Sequence, residues 1–468
     1  MKENCTKEES IRKNSIRENS IKQNDLTQGN IFKTLILFAV PFLIANILQS
    51  LYGAVDLFVV GRYCSAESVA AISTGTQITQ IVTSLITGLT LGGTILIGEY
   101  TGKKEFEAVR KTIGTLLTVF FAAAMVITIF LLIFQKPLLT VLKTPRESFD
   151  LTMEYVSICA LGTVFICGYN AISAILRGYG DSERPMIFVG IACVINIILD
   201  FVFVKYCDLG VAGTALATIL SQACSMGISI FYLKRSDFIF DFKLKSFLPD
   251  RRLAGKLAYI GIPISFQELM VRISFLYLMA VMNSCGVEAA AVVGISSKYD
   301  VFAMLSATSM ANALAAITAH NIGAGKPKRA RQALWCGLGF ALAVSFLFWL
   351  WAQINPASMI RVFADDKAII AAGEPFFRSC SYDYIMVTIV FCLNGYLNGR
   401  QKTVWTMLSC SAGALLLRIP LVWYFGNHFA DNLGRLGMIA PFVSGIMACY
   451  TLIYVLYDGR RNVNKQFM

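Results

Sequence analysis

The chain has 468 residues, of which 56% are hydrophobic and only 15% charged, and its formal net charge is +12. Soluble domains carry about 25% charged residues, so this composition excludes an ordinary soluble enzyme or a secreted domain. A membrane-spanning helix needs about 20 mainly apolar residues, which leaves room for twelve. We therefore predict an all-α polytopic membrane protein with twelve transmembrane helices.

The predicted spans follow one another in chain order, separated by short polar connections. The first 29 residues are polar, contain three similar pentads that begin at Ser10, Ser15 and Ser20, and lack the apolar stretch of a cleaved signal peptide. We predict a disordered cytoplasmic tail over 1–30. The approximate spans that follow are 31–59, 68–97, 111–135, 150–177, 185–204, 210–233, 254–282, 289–320, 332–355, 372–398, 403–425 and 436–457.

The positive charge is distributed unevenly between the two sides of the predicted membrane. With the N-terminus inside, the inside segments carry 29 Lys and Arg residues and the outside segments carry 8. The positive-inside rule then places both termini in the cytoplasm of a cell-membrane protein. The charge is thus a topology signal, and the expected partners are the lipid bilayer and small molecules. Nucleic acid is not expected as a partner, and we expect a monomer.

The sequence repeats itself at a nearly constant offset. The matched pairs are Pro41 with Pro263, Glu67 with Glu288, Gly102 with Gly323, and Arg110 with Arg331. We predict an N-lobe over 31–250 and a C-lobe over 251–458, joined by the basic loop 234–256 and followed by a cytoplasmic tail over 459–468. An even number of helices per half makes the repeats parallel, with a pseudo-two-fold axis along the membrane normal. Two such six-helix bundles can rock about a central cavity.

Two acidic residues in predicted spans of the first half, Asp56 and Asp200, have no acidic counterpart at the matching positions of the second half. A carboxylate inside a membrane costs about 2.5–3.5 kcal/mol on insertion scales, and is therefore a functional candidate. Asp56 falls opposite Tyr277 or Leu278 of the second half, and Asp200 falls opposite Leu421. This asymmetry marks the acid pair as a candidate site.

Polar residues accompany the acid pair at helical spacing, so that each set shares one helix face. The sets are Gln49, Tyr52 and Asp56; Asn196 and Asp200; and Thr214 and Thr218. If the faces converge, they form a cation site for Na⁺, or the two carboxylates share a proton. The residues of this site are Asp56, Asn196, Asp200 and Thr218. The supporting residues are Gln49, Tyr52 and Thr214. In the alternative interpretation, Asp56 lies in water near a helix end and Asn196 bridges two helices.

The second half has its own embedded charges, of both signs. They are Glu268, Arg272, Lys298, Asp300, Arg378, Asp383 and Arg418. The spacing of Glu268 and Arg272 lets them pair on one helix, so structural pairing is the favoured interpretation of the set. The alternative is that some of these residues line the central cavity and select the charge of a substrate.

Enzyme motifs are weak in this chain, and we predict no enzymatic activity, no cofactor and no transition-metal site. The segments 98–104 and 320–326 are glycine-rich but lack the strand and the spacing of a phosphate-binding loop. Residues 178–181 match the G-x-G-D string of intramembrane aspartyl proteases, yet the order relative to Tyr382-Asp383 is reversed. The thirteen cysteines are expected to be reduced; a disulfide among Cys64, Cys207 and Cys285 is the alternative.

Several short strings together resemble the MATE (multidrug and toxic compound extrusion) family, in particular its MepA-like bacterial branch. The resemblance covers residues 31–458. It is carried by Pro41, Val55-Asp56, Gly61-Arg62, Gly102, Val109-Arg110, Leu176-Arg177-Gly178-Tyr179-Gly180-Asp181, Pro185, Asn196, Leu199-Asp200, Leu209-Gly210-Val211-Ala212-Gly213 and Ala319-His320-Asn321-Ile322-Gly323-Ala324-Gly325.

The resemblance implies two six-helix bundles, alternating access, and export of bulky, often cationic drugs in exchange for Na⁺ or H⁺. The cation site of such proteins carries over to Asp56, Asn196, Asp200 and Thr218. Some relatives use acids of the seventh and tenth helices, but here Val271 and Val387 stand at those places, about one turn after Glu268 and Asp383. A lipid-linked oligosaccharide or polysaccharide flippase of the same superfamily is the alternative function, and an intramembrane aspartyl hydrolase is a more distant one.

Overall fold

The computed structural model describes residues 25–466 except 143, 237, 364–365 and 430–431, with side chains up to Asp458. Most of the predicted N-terminal tail, and the side chains of the predicted C-terminal tail, therefore lie outside the described residues. Throughout the described part of the chain, every regular element is a helix. This agrees with a chain whose backbone groups must be satisfied within each segment inside a bilayer.

The first half contains six long helices. They are α1 (Ile31–Tyr63), α2 (Ala66–Gly102), α3 (Phe106–Val141), α4 (Arg146–Gly178), α5 (Glu183–Asp200), which continues as a π-helical segment (Phe201–Tyr206), and α6 (Gly210–Arg235). A short 3₁₀ helix (Leu244–Phe247) lies in the connection to the second half.

The second half has the same plan, with more interruptions. Its helices are α7 (Arg251–Ser284), α8 (Val287–Gly323), α9 (Pro327–Ile354), the short α10 (Pro356–Arg361), α11 (Lys367–Cys380), α12 (Tyr382–Gly399), α13 (Thr403–Ala412), a π-helical segment (Gly413–Arg418), α14 (Ile419–His428), the short α15 (Leu433–Gly437) and α16 (Ile439–Gln466).

Twelve helical stretches in the described residues are long and apolar enough to cross a membrane, which confirms the predicted fold class and the number of spans. The helices are longer than the predicted spans at their ends. The third span, for example, was expected over 111–135 and the helix is Phe106–Val141. The difference arises because the polar turns that flank an apolar stretch also remain helical.

The repeat seen in the sequence is equally clear in the helix boundaries. Helix α8 begins and ends 221 residues after α2, from 66 to 287 and from 102 to 323. The turns that follow these helices also correspond, because Lys104 and Gly325 both have a left-handed backbone, with φ of 60° and 70°. The two halves are thus copies of one six-helix topology.

The described residues form two compact units. The first unit contains Ile44–Ile86 and Gly92–Ala258, and the second contains Gly29–Leu43, Thr87–Leu91 and the residues from 259 onward. The predicted lobe boundary at residue 250 stays a prediction.

Small residues set the closest helix approaches within the second unit. A Cβ added to Gly395 of α12 would lie 2.3 Å from the carbonyl oxygen of Ala311, and one added to Gly399 would lie 2.4 Å from that of Ala315. These contacts hold α12 against α8 backbone to backbone, as small residues four apart commonly do in membrane helices.

Tryptophan occurs in the second unit alone. The five residues are Trp335, Trp349, Trp351, Trp405 and Trp423. Trp405 stacks on Tyr454 with a centroid distance of 4.0 Å and an interplanar angle of 16°, and on Tyr450 at 4.9 Å. Parallel stacking of this kind fixes both helices that carry the rings.

Candidate cation-binding site

Three helices of the first unit bring the predicted polar faces together. Asp56 on α1 is 6% exposed, and Asn196 and Asp200 at the end of α5 are fully buried. The hydroxyl of Thr218 on α6 lies 3.5 Å from Asp56 Oδ2, at the outer limit of a hydrogen bond. Asp200 and Asn196 are the other polar neighbours of Asp56.

Three of the four oxygens of the facing carboxylates lack a hydrogen-bond donor among the described residues; the fourth, Asp56 Oδ2, accepts from Thr218. Ionised Asp residues can only accept hydrogen bonds, so Asp56 and Asp200 cannot bond to each other without a proton between them. Asp56 Oδ1, both carboxylate oxygens of Asp200, the amide oxygen of Asn196 and the hydroxyl of Thr214 have no hydrogen-bond partner among the described residues. Burying such oxygens without a partner is costly, and a proton or a small cation is the group that would satisfy them.

Asp200 lies at the point where α5 changes from α-helical to π-helical hydrogen bonding. The α-helical hydrogen bonding of α5 ends at Asp200, and the next six residues, Phe201–Tyr206, are π-helical. A π-helical turn shifts the register of the helix and occurs frequently at functional sites. Asp200 therefore lies where the rotation of the helix changes.

The three predicted supporting residues, Tyr52, Thr214 and Gln49, differ in their burial and in their contacts. The hydroxyl of Tyr52 donates to the carbonyl oxygen of Thr218 at 3.1 Å, and lies 2.9 Å from the hydroxyl of Ser221, so it ties α1 to α6 beside the site. Thr214 is fully buried. Gln49 is exposed on α1, and so the shared helix face does not bury it with the carboxylates.

Ser221 was missed by the sequence analysis. It lies three residues after Thr218 and seven after Thr214, so it continues their face of α6. That spacing could have identified it. Its hydroxyl is buried and donates to the carbonyl oxygen of Thr218 at 2.7 Å.

The second unit contains a different buried cluster, centred on Arg418. Arg418 ends the π-helical segment Gly413–Arg418 and is 5% exposed. Its Nη1 donates to the Ser274 hydroxyl at 3.3 Å, and its guanidinium lies 4.5 Å from the centroid of the Phe275 ring. The carboxylates of Asp383 and Asp300 are its electrostatic neighbours, without an ion pair within 4 Å among the described contacts.

The remaining charges of the second half do not all join this cluster. Asp383 has Ser444 as a polar neighbour, and Asp300 has Tyr384; neither Ser444 nor Tyr384 was singled out from the sequence. Glu268 and Arg272 interact electrostatically along α7, as their spacing indicated. Lys298 is exposed on α8.

Asp181, which belongs to the G-x-G-D string at residues 178–181, has a structural role at the start of α5. Its Oδ1 accepts from the backbone N–H groups of Glu183 at 3.1 Å and Arg184 at 3.2 Å, and its Oδ2 pairs with the Arg184 side chain. It therefore helps to begin α5.

Among the described residues, no group of three or more His, Cys, Asp or Glu side chains could hold a metal ion, and the twelve described cysteines are all unbridged.

The two repeats and the twelve spans define a multi-pass helical membrane protein. A family model described as MatE matches the chain twice, over residues 41–202 and 263–424. The chain belongs to the MatE family. The two matches coincide with the two repeats described above.

Similar proteins agree with this assignment. The chain is 26% identical over 445 residues to the probable multidrug resistance protein YpnP of Bacillus subtilis, covering 94% of this chain and 98% of that protein. It is 23% identical over 441 residues to the multidrug export protein MepA of Staphylococcus aureus, covering 92% and 94%. The family and these relatives are transporters and not enzymes.

A solved structure shares the fold. The chain matches an outward-facing multidrug resistance MATE family transporter with a TM-score of 0.87 at 20% sequence identity, over 95% of this chain and 98% of that one. This likeness shows that the two chains have the same helical architecture.

Proposed function

We propose that this chain is a secondary multidrug efflux transporter of the cell membrane, which exports bulky, often cationic organic compounds in exchange for Na⁺ or H⁺. The observation that carries the proposal is the buried pair of Asp56 and Asp200, of whose four oxygens three lack a hydrogen-bond donor among the described residues. The drug-export names of relatives at 23–26% identity support the substrate class. No cofactor is part of this mechanism.

The site would hold either a Na⁺ ion or a proton and release it during transport. Carboxylate, amide and hydroxyl oxygens of Asp56, Asp200, Asn196 and Thr218 are hard ligands suited to Na⁺, and Thr214 would add one more. A proton held between the two carboxylates would satisfy the same oxygens. The Tyr52 hydroxyl would keep α1 and α6 in register while the occupant changes.

Binding of the cation would drive transport by alternating access. A ligand shifts a conformational equilibrium only if it binds one state more tightly than the other. The proposal assigns that difference to the Asp56–Asp200 pair, with the lobes 31–250 and 251–458 as the moving parts. A cation entering from outside would favour the conformation that releases drug.

Replacement of either acid tests the proposal. Asp56→Asn and Asp200→Asn should each abolish gradient-driven dye efflux, because an amide neither titrates nor balances a cation. Both variants should still reach the membrane, since they are nearly isosteric. Asp150→Asn, at an exposed acid of α4, is the matched control and should transport normally.

The outcomes of this experiment are distinct. Normal efflux by both Asp56→Asn and Asp200→Asn would contradict the coupling role of the pair. Transport of a lipid-linked sugar by reconstituted protein, without any dye efflux by the unmodified chain, would contradict the substrate class. Dye efflux in everted vesicles under a pH gradient alone, and then a Na⁺ gradient alone, identifies the coupling ion.

A further inference from the structure

The connection between α6 and α7 is here called the linker, residues 236–250, of which the structure describes 236 and 238–250. It is fixed to α3 at several points: Arg110 Nε donates to the carbonyl oxygen of Ile239 at 2.8 Å, the Thr118 hydroxyl donates to that of Phe247 at 2.6 Å, and the Asp250 N–H donates to Thr115 Oγ1 at 3.1 Å. A Cβ on Gly114 would lie 1.9 Å from the carbonyl oxygen of Ser246. The linker therefore sits directly on the α3 backbone.

Beside the linker lies a partly open apolar cavity of about 470 Å³, lined by α3, α4, α6 and the linker itself. This volume lies within the range of about 300–1,000 Å³ found for small-molecule sites. Three linker phenylalanines line it, Phe238, Phe242 and Phe247, and Thr118 supplies the one hydroxyl among its lining residues. Because that hydroxyl is already bonded to Phe247, the cavity suits hydrocarbon rather than a polar or charged compound.

One of these phenylalanines, Phe242, has a strained backbone conformation. Phe242 has a φ of +52°, a conformation that is an outlier for a bulky aromatic residue. Such strain tends to be retained at functional positions. Here it directs the Phe242 ring into the cavity wall, 5.1 Å from the Phe240 ring.

The outer surface of the linker combines lysines with exposed leucines. Leu244 is 91% exposed and Leu248 is 72% exposed, and Lys243 and Lys245 flank Leu244 and are exposed as well. Lys234 Nζ lies 5.8 Å from the centroid of the Phe242 ring, and so marks the rim of the cavity. Exposed apolar side chains beside basic ones are typical of a segment that lies at the surface of an anionic membrane.

The linker itself has two lysines and three acids in its sequence, so the net positive charge of this region comes from the flanking Lys234, Arg235, Arg251 and Arg252. Asp241 accepts from the Ser246 hydroxyl at 2.5 Å and lies 3.7 Å from Lys243 Nζ. The hydrogen bond from Ser246, with a smaller contribution from Lys243, lowers the pKa of Asp241 below its usual value. An exposed ion pair of this kind contributes little, so Lys243 can still bind a phosphate.

We propose that this cavity binds one acyl chain of an anionic phospholipid, whose phosphate is held by Lys234, Lys243 and Lys245. The apolar lining accounts for the chain, the three lysines account for the headgroup, and the exposed leucines place the linker at the leaflet that supplies the lipid. The site is separate from Asp56 and Asp200, which do not line it.

The acyl arm of the proposal is tested by filling the cavity. Val164→Trp on α4 and Ile230→Trp on α6 each place a large ring in the lining; two variants keep the test valid if one fails to fold. Val194→Trp, at a position of α5 that is 57% exposed, is the matched control. Native mass spectrometry of the purified full chain, titrated with phosphatidylglycerol, should show one tightly retained lipid that both filled variants lose and the control keeps.

The headgroup arm is tested with the lysines. The variant K234A/K243A/K245A should lower the affinity for phosphatidylglycerol by about fivefold for each lysine removed, and leave that for phosphatidylcholine of equal chain length nearly unchanged. K104A/K328A/K402A, which removes three exposed lysines elsewhere, should behave as the unmodified chain does.

Two results would overturn the proposal. Retention of the lipid by both folded filled variants would show that it binds elsewhere on the surface. Equal affinity of the unmodified chain for phosphatidylglycerol and phosphatidylcholine would show that the cavity is not an anionic-lipid site.

Discussion

Arg418 is the buried cation of the second unit, and its surroundings distinguish the two interpretations of the charges there. It contacts Ser274 and the Phe275 ring, and has Asp383 and Asp300 as electrostatic neighbours. The guanidinium thus has an aromatic face, a hydroxyl and two acids of its own unit as neighbours, although its Nε has no hydrogen-bond partner among the described residues. This arrangement favours a structural role over selection of substrate charge.

Arg418→Met should therefore destabilise the protein by about 3 kcal/mol, because it leaves two buried carboxylates without their neighbouring cation. Lys298→Met, at an exposed position of α8, should change the stability by less than about 0.5 kcal/mol. Thermal melting of the two purified variants compares them. A normal melting temperature for Arg418→Met together with altered drug selectivity would instead assign Arg418 to substrate recognition.

At the scale of single elements, the linker illustrates what a helix glycine permits. The α3 backbone can accept the Ser246 carbonyl only because Gly114 lacks a side chain. The three hydrogen bonds to the linker then follow from Arg110, Thr115 and Thr118, which share one region of α3.

Gly114→Val should release the linker, because its Cβ would occupy the place of the Ser246 carbonyl oxygen, 1.9 Å away. We expect faster tryptic cleavage after Lys243 and Lys245 in the purified protein, since cleavage requires a locally unfolded segment. Gly227→Val on α6, where an added Cβ meets nothing within 4 Å, is the matched control. Equal cleavage rates for the two variants would contradict this account of the linker.

Sequence and structure agree most closely where helical periodicity is decisive. Asp56, Asn196, Asp200 and Thr218 were found because spacings of three and four, and the absence of acids at the repeated positions, are visible in the sequence. Gln49 satisfies the same spacing and is exposed, since spacing fixes the angle around one helix but not which neighbour covers it. The contact of Gly114 with Ser246 joins residues 132 positions apart, and no local pattern indicates it.

At the scale of the whole molecule, the membrane orientation stays a prediction from the distribution of lysine and arginine. In a cysteine-free background, Cys207 restored alone, an exposed thiol between α5 and α6, should react with a membrane-impermeant maleimide in intact cells. Leu244→Cys on the linker should react only in everted membranes, because the linker lies within the basic loop 234–256, which the positive-inside rule places in the cytoplasm. The reverse labelling pattern would invert the predicted topology.

The confinement of all five tryptophans to the second unit gives the protein a natural spectroscopic asymmetry. Excitation near the indole band reports on one repeat, whereas the acid pair lies in the other. A change in emission upon addition of Na⁺ or acid, lost in Asp56→Asn, would therefore measure communication from the ion site to the other repeat, without any attached label.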